Sequence, residues 1–277
     1  MFPLTDDIPK CLLPLANRRL LAYQLDLLIK SGVAELFVVS PREYETQLRQ
    51  FLADYMRSGS ITIDLIITDD MVGSADGLRA VSDRIRGDFI CLSADFISSV
   101  ALGELVNMHR LNSSDCTMLF ARAAVDAKRD EVDQEYIGMA DDGRVLMKVP
   151  LLEIEESIDV AKQLLHKTAT FSLRDNLIDM GVYVFSHWVM EYLTDSPRVS
   201  NVRTELVPFL VVRQFQSAAY LLKAMPALGH RARPLDRVEP WLVSNADSAP
   251  RSKSTLPPRW DYEHMCASSS LSEMCDT

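Results

Sequence analysis

The sequence is poor in the residues that build covalent or metallic scaffolds. It holds five cysteines in 277 residues, at positions 11, 91, 116, 266 and 275. The number is odd, the spacings are wide and no Cys-x-x-Cys pair occurs. This describes reduced thiols of a cytosolic protein and excludes a disulfide frame or a zinc site. The five histidines show no His-Glu-x-x-His spacing. No stretch approaches the ~20 apolar residues that span a bilayer. Thr5, Asp6, Asp7 and Lys10 interrupt any apolar core of a signal peptide. No run of Lys or Arg stands out, and the net charge is −10, so the basic surface that binds nucleic acid through counterion release is lacking. No Gly-x-Ser-x-Gly elbow and no hexapeptide repeat occurs.

What is present describes a folded α/β protein. Hydrophobic residues make up 48% and charged residues 25% of the chain, a balance that excludes global disorder. Its length fits one large α/β domain with a tail, or two modest domains. Apolar residues 21, 25, 28 and 29 mark one face of a helix over 20–30, which Gly32 ends. A strand over 35–40 follows, then a helix carrying Tyr44, Leu48, Phe51, Leu52 and Tyr55 on one face. The β-branched run 61–68 reads as a strand. A helix over 74–85, a strand over 88–92, a helix over 101–111 and a strand over 116–123 complete the first half. Strands separated by helices of this length imply right-handed βαβ units and a doubly wound, mostly parallel sheet. Beyond it, Asp141-Asp142-Gly143 joins runs 136–139 and 145–148 as a hairpin. Further strands are expected at 170–173 and 180–185, and helices at 186–193 and 202–214. Residues 226–277 hold six of the 13 prolines and eight serines without a sustained period. The expected organisation is a domain over 1–225 and a disordered Pro/Ser-rich tail over 226–277.

Three positions can carry chemistry, and each has a plainer reading beside it. Lys10 follows Pro9, and a cation there can neutralise a triphosphate as pyrophosphate departs; the plainer reading is a solvated lysine. Gly73-Ser74 opens a helix after the second strand. There glycine lets backbone approach a planar ligand, and the helix start favours anions. The plainer reading is that Ser74 caps the helix. Asp95 lies just past the third strand, at the sheet edge where ligands of such folds gather, and Mg²⁺ takes hard oxygen donors. Its plainer role is a turn or cap before the next helix. Asp69, Asp70, Asp141 and Asp142 read as loop or turn residues. Glu153, Glu155 and Glu156 read as a solvated face, and His109 as helix surface.

The order Pro3-Leu4-Thr5, Pro9-Lys10-x-Leu12-Leu13-Pro14 resembles the segment just after the glycine-rich nucleotide loop of sugar-nucleotide pyrophosphorylases. Asn17-Arg-Arg-Leu-Leu-Ala-Tyr-Gln-Leu-Asp-Leu-Leu28, Ser31-Gly-Val-x-Glu35, Gly73-Ser-Ala-Asp-Gly-Leu-Arg79, Leu92-Ser-Ala-Asp-Phe-Ile97 and Arg203-Thr-Glu-Leu-Val-Pro-Phe-Leu-Val211 narrow it. Over about residues 3 to 220, the chain resembles the gamma-subunit branch of the exchange factor for eukaryotic initiation factor two. That resemblance implies a nucleotide-diphospho-sugar transferase-like, Rossmann-like domain followed, in intact members, by a left-handed β-helix. It implies a non-catalytic, cytosolic role in translation initiation. The partners would be the epsilon and other subunits and initiation factor two, with no direct nucleic acid, no membrane and no cofactor. No catalytic residue is carried over; Lys10, Gly73 and Ser74 become vestigial nucleotide contacts and Asp95 a vestigial metal position.

Three departures accompany the resemblance. The apolar strand and glycine loop expected before Met1 are absent, and so is the β-helix, which implies truncation at both ends. Loss of that central strand is expected to leave its neighbours with unpaired backbone groups, each costing ~1–3 kcal/mol if buried. Lys148-Val-Pro150 is the nearest approach to the Glu-Lys-Pro that holds the sugar-binding lysine of active relatives. The alternative function is an NTP:sugar-1-phosphate nucleotidyltransferase, with Lys10 on phosphate and Asp95 on Mg²⁺.

Overall fold

Leucine spacing sets the first layer. Leu21, Leu25 and Leu28 share one face of helix α1 (Leu20–Lys30), and all three are buried, Leu25 completely. A short hairpin, β1 (Pro14–Leu15) with β2 (Arg18–Arg19), leads into it. The computed structural model describes residues 5, 7–69, 73–123, 134–154, 157–158, 160, 162–168, 170–215 and 241–243. The chain then alternates β3 (Glu35–Pro41), α2 (Glu45–Ser58), β4 (Thr62–Thr68), α3 (Ser74–Arg79), β5 (Phe89–Leu92), α4 (Leu102–Asn112) and β6 (Cys116–Arg122). The helix expected over 74–85 is regular only to Arg79 and continues as turns.

Next come β7 (Glu135–Met139) and β8 (Val145–Pro150), the expected hairpin, then α5 (Lys162–Lys167), β9 (Ser172–Arg174) and β10 (Leu177–Phe185). Helix α6 (Trp188–Asp195), a π-helical turn (Val202–Leu206), α7 (Val207–Arg213) and strand β11 (Trp241–Val243) follow. Pro208 stands in the first turn of α7, which continues directly from the π-helical turn.

The main sheet has the order β11-β6-β10-β5. Strand β10 runs antiparallel to both β5 and β6, and β11 runs parallel to β6. Three of its four strands therefore share one direction, and β10 opposes them. Strands β3 and β4 form a separate parallel pair, and β8-β7-β9 form a small antiparallel sheet. Among the described residues, β3 pairs with β4 alone and β5 with β10 alone.

Two apolar layers sandwich the main sheet. One joins Leu25, Leu48, Leu52, Phe96, Leu102 and Val184 from the α1, α2 and α4 side. The other joins Ala75, Met118, Phe185, Val189, Leu206 and Val211 from the α3, α6 and α7 side. Of residues 226–277, only Trp241–Val243 lie among those described, paired on β6 beyond the expected boundary at 225. The reading of that tail as disordered otherwise falls outside the described residues. Among the described residues, no helix is long and apolar enough to cross a membrane.

Candidate functional site

The site is built where β5 ends against a break in β10. The register of β10 on β6 shifts between Asp179 and Tyr183, and such a bulge re-aims side chains. Gly181 lies in the break at φ +66°, donates its N–H to Asp179 Oδ1 at 2.9 Å, and offers its carbonyl to Ser93 N at 2.8 Å. A Cβ on Gly181 would stand 2.7 Å from Ser93 Cβ, so glycine permits both the turn and the approach.

Ser93 and Phe96 are held from the other face. Buried Gln24 of α1 donates Nε2 to the carbonyls of both residues at 2.9 Å each. The loop between them therefore presents Asp95 in one place. Lys10, on a 3₁₀ turn (Lys10–Leu12), meets it there with Nζ 2.5 Å from Asp95 Oδ2, and Ser93 Oγ donates to Oδ1. Partial burial acts to raise the Asp95 pKa, but the hydrogen bonds from Lys10 and Ser93 outweigh it. The carboxyl titrates below its ordinary value.

Gly73 and Ser74 are brought near by a different set of bonds. Gly73 stands at the N-cap of α3, where its N–H donates to Asp76 Oδ2 at 2.9 Å. A Cβ there would lie 2.1 Å from the Ser200 carbonyl oxygen. That same oxygen accepts from Ala75 N at 2.9 Å. The Ser74 hydroxyl does not cap its own helix; it accepts from Val202 N at 2.9 Å. The Gly-Ser-Ala turn is thus docked on residues 200–202. Asn201 Oδ1 accepts from the N–H groups of Arg203 and Thr204, while Glu205 accepts from Ser200 N and Oγ. Those bonds hold the Glu205 carboxyl below its usual pKa. Arg79 fastens the approach by donating to the carbonyls of Leu193, Ser196 and Val199.

These elements enclose a cavity of about 540 Å³ whose polar lining includes Ser74, Ser93, Asp95, Asp179, Tyr183 and Arg203. Two expected site residues, Ser74 and Asp95, line it. Lys10 joins through its ion pair, and Gly73 lies behind it in the docked turn. Sequence reasoning missed Asp179, Tyr183 and Arg203, which carry no recognisable spacing among themselves. Tyr183 donates to Asp179 Oδ2 at 2.9 Å, and burial, with Asp179 beside it, pushes its phenol pKa far up.

Behind this wall the Lys148 side chain is 1% exposed, with Nζ 2.7 Å from Glu135 Oε1, 3.5 Å from Asp179 Oδ2 and 3.4 Å from the Arg203 carbonyl. A buried ammonium requires such partners, so Lys148 serves the interior of the protein and does not line the cavity. Among the described residues, no three His, Cys, Asp or Glu side chains converge as metal ligands. The two carboxylates of the lining, Asp95 and Asp179, are already engaged by Lys10 and Tyr183.

Residues 1–241 match the nucleotidyl transferase family, most of the chain. The chain belongs to that family. Translation initiation factor eIF2B subunit gamma of Schizosaccharomyces pombe is 29% identical over 228 residues, which is 79% of this chain and 50% of that protein. The gamma subunit of Dictyostelium discoideum is 24% identical, over 81% of this chain and 56% of that protein. The S. pombe eIF2B subunit epsilon is 25% identical, over 74% of this chain and 32% of that protein. The chain thus spans about half the length of the gamma relatives. A crystal structure of a glucose-1-phosphate thymidylyltransferase from Bacillus anthracis overlaps 69% of this chain and 68% of its own, with a TM-score of 0.52 and 15% identity. HddC from Yersinia pseudotuberculosis overlaps 72% of this chain and 75% of its own, at 0.51 and 15%. At that identity the two solved structures speak for the fold alone, and they agree with the α/β transferase-like class.

Proposed function

We propose that this nucleotidyl transferase family member is a non-catalytic subunit of the guanine-nucleotide exchange factor for eukaryotic initiation factor two. It works in the cytosol, in translation initiation, through protein–protein contacts with the epsilon and other subunits and with initiation factor two. The similarity to gamma and epsilon subunits supports this. The site observation that carries it is the Lys10–Asp95 pair: the cation and carboxylate best placed for phosphate and metal satisfy each other instead. A carboxylate with an ammonium on one oxygen and a serine hydroxyl on the other is a poor ligand set for Mg²⁺. In this reading Lys10, Gly73, Ser74 and Asp95 are retained for structure, and no cofactor is needed. The test is affinity capture of tagged full-length chain with a cognate epsilon subunit. Stable co-elution is the expected result; failure of the two full-length chains to associate removes the proposal.

A second reading, nucleotidyl transfer to a sugar 1-phosphate, is favoured by the cavity lined by Ser74, Asp95 and Arg203 within this family's fold. It requires Mg²⁺-dependent exchange of labelled pyrophosphate into a nucleoside triphosphate, lost in Lys10→Met. The proposed function predicts no such exchange in either protein.

A further inference from the structure

We infer that the face shared by α6 and α7 is a docking surface for a helical segment of a partner polypeptide. The segment sets a glutamate carboxylate on Arg213 and an apolar side chain, one helical turn away, on the neighbouring aromatic pair. Sequence spacing supplies the frame. Trp188 and Tyr192 stand four residues apart on α6, and Phe209 and Arg213 four apart on α7, so each pair shares one helix face. The faces meet in two stacks. Arg213 Cζ lies 4.2 Å from the centre of the Trp188 ring, and the Tyr192 and Phe209 rings stack at 4.5 Å with 3° between their planes. The earlier residue of α6 meets the later one of α7, so the helices run antiparallel.

Arg213 is the unresolved charge of this cluster. It is 3% exposed, and its Nε and Nη1 are buried without a hydrogen-bond partner. Asp115 is turned to the indole instead and accepts from Trp188 Nε1. Burial lowers the Arg213 pKa, against the pull of Asp115 and Tyr192. The indole face offsets part of the cost of burying a cation. It leaves the N–H donors unpaired, and donors kept from both water and an acceptor are costly. A carboxylate supplies the missing acceptors and the compensating charge together. A phosphate, with its second negative charge, would shed more hydration against the same rings.

The cluster reaches the surface. Trp188, Tyr192 and Phe209 are half-buried, and Val212 beside Arg213 is 53% exposed. A change of side-chain rotamer, common when interfaces form, uncovers the guanidinium. Trp, Tyr and Arg are also the residue types that carry most of the energy of an interface. The two stacks lie one helical turn apart, and a partner helix with glutamate at i and an apolar residue at i+4 repeats that spacing. The net charge of −10 opposes a second copy of this chain. The occupant is therefore a different polypeptide, carrying one carboxylate in apolar surroundings. This names a surface and a chemistry and not an assembly, so its test and the capture with epsilon fail independently.

The test uses the full chain and a fluorescent alanine-rich peptide of about 18 residues, long enough to hold a helix in water. It carries glutamate four residues before phenylalanine, and a control peptide has glutamine in place of the glutamate. Anisotropy titration should show binding of the glutamate peptide and about ten-fold weaker binding of the control. Arg213→Met should bring the glutamate peptide down to the control and leave the control unchanged. Its Tm should equal or exceed that of the wild type, because the lost cation had no hydrogen-bonded partner to strand. Val212→Glu, at an exposed position, keeps the test independent of folding; it should weaken the glutamate peptide and spare the control. No binding of the glutamate peptide, or equal affinity for both peptides, overturns the inference. A Tm of Arg213→Met several degrees below wild type overturns it too, since the guanidinium would then serve the fold. A concentration-dependent dimer that disappears in Arg213→Met would assign the face to a second copy, with the same consequence.

Discussion

At the scale of single residues the site is held by close approaches that tolerate little change. Gly73→Ala places a methyl group against the Ser200 carbonyl, a backbone atom that cannot swing aside. Overpacking of this kind costs about 1–3 kcal/mol, so thermal unfolding of Gly73→Ala should begin several degrees earlier than in the wild type. Lys10→Met is expected to act differently. Both partners of the Lys10–Asp95 pair are two-fifths exposed, and such pairs add little stability. The variant's signature is therefore titration: Asp95 loses its main favourable partner and its pKa rises towards 3.8. In the wild type the depressed pKa gives stability that is present above that ordinary value and lost as pH falls through the lower folded value. Carboxyl NMR titration of both proteins reads the shift directly; an Asp95 that titrates identically in both would discount the pair.

At the scale of elements, α4 is seated on the sheet through a polar contact as well as by leucines. His109 is 2% exposed, not on the helix surface as expected from its position. Its Nδ1 lies 2.9 Å from Thr117 Oγ1 and its Nε2 3.5 Å from Ser186 Oγ. Burial lowers its pKa below the ordinary 6.5, against the pull of Asp88 and with the repulsion of Arg110. A depressed histidine pKa means that the folded state prefers the neutral ring. Its contribution is complete above 6.5 and declines as pH falls through the lower folded value. The Tm of the wild type should thus drop between pH 7 and pH 5 by more than that of His109→Gln, measured by calorimetry. Parallel Tm curves would remove His109 from the account.

At the scale of the whole molecule, one sheet sandwiched between two apolar layers carries the architecture, and its edges are where it is vulnerable. Strand β11 covers the edge of β6 opposite β10. A chain ended after residue 225 bares that edge. Its expected behaviour is a lower Tm and self-association visible by light scattering, because an uncovered strand recruits other strands. A truncated chain that stays monomeric with an unchanged Tm would make 1–225 a sufficient folding unit.

Period and punctuation in the sequence determined the elements. Leu21, Leu25 and Leu28 can share a face only on a helix, the β-branched run 61–68 suits only a strand, and Asp-Asp-Gly at 141–143 suits only a tight reversal. The short-range order Pro-Lys-x-Leu-Leu-Pro and Arg-Thr-Glu-Leu-Val-Pro pointed to the family before any geometry did. What the tertiary structure decided were relations between residues far apart in the chain. Lys10 and Asp95 are separated by 85 positions and Ser74 and Val202 by 128. The antiparallel entry of β10 between β5 and β6, the burial of His109 and the internal ion pairs of Lys148 belong to the same class. No local pattern encodes them, because each depends on which surfaces meet once the apolar layers close. Charge and hydrogen-bonding capacity are legible one residue at a time, but the partner that satisfies them is chosen by packing.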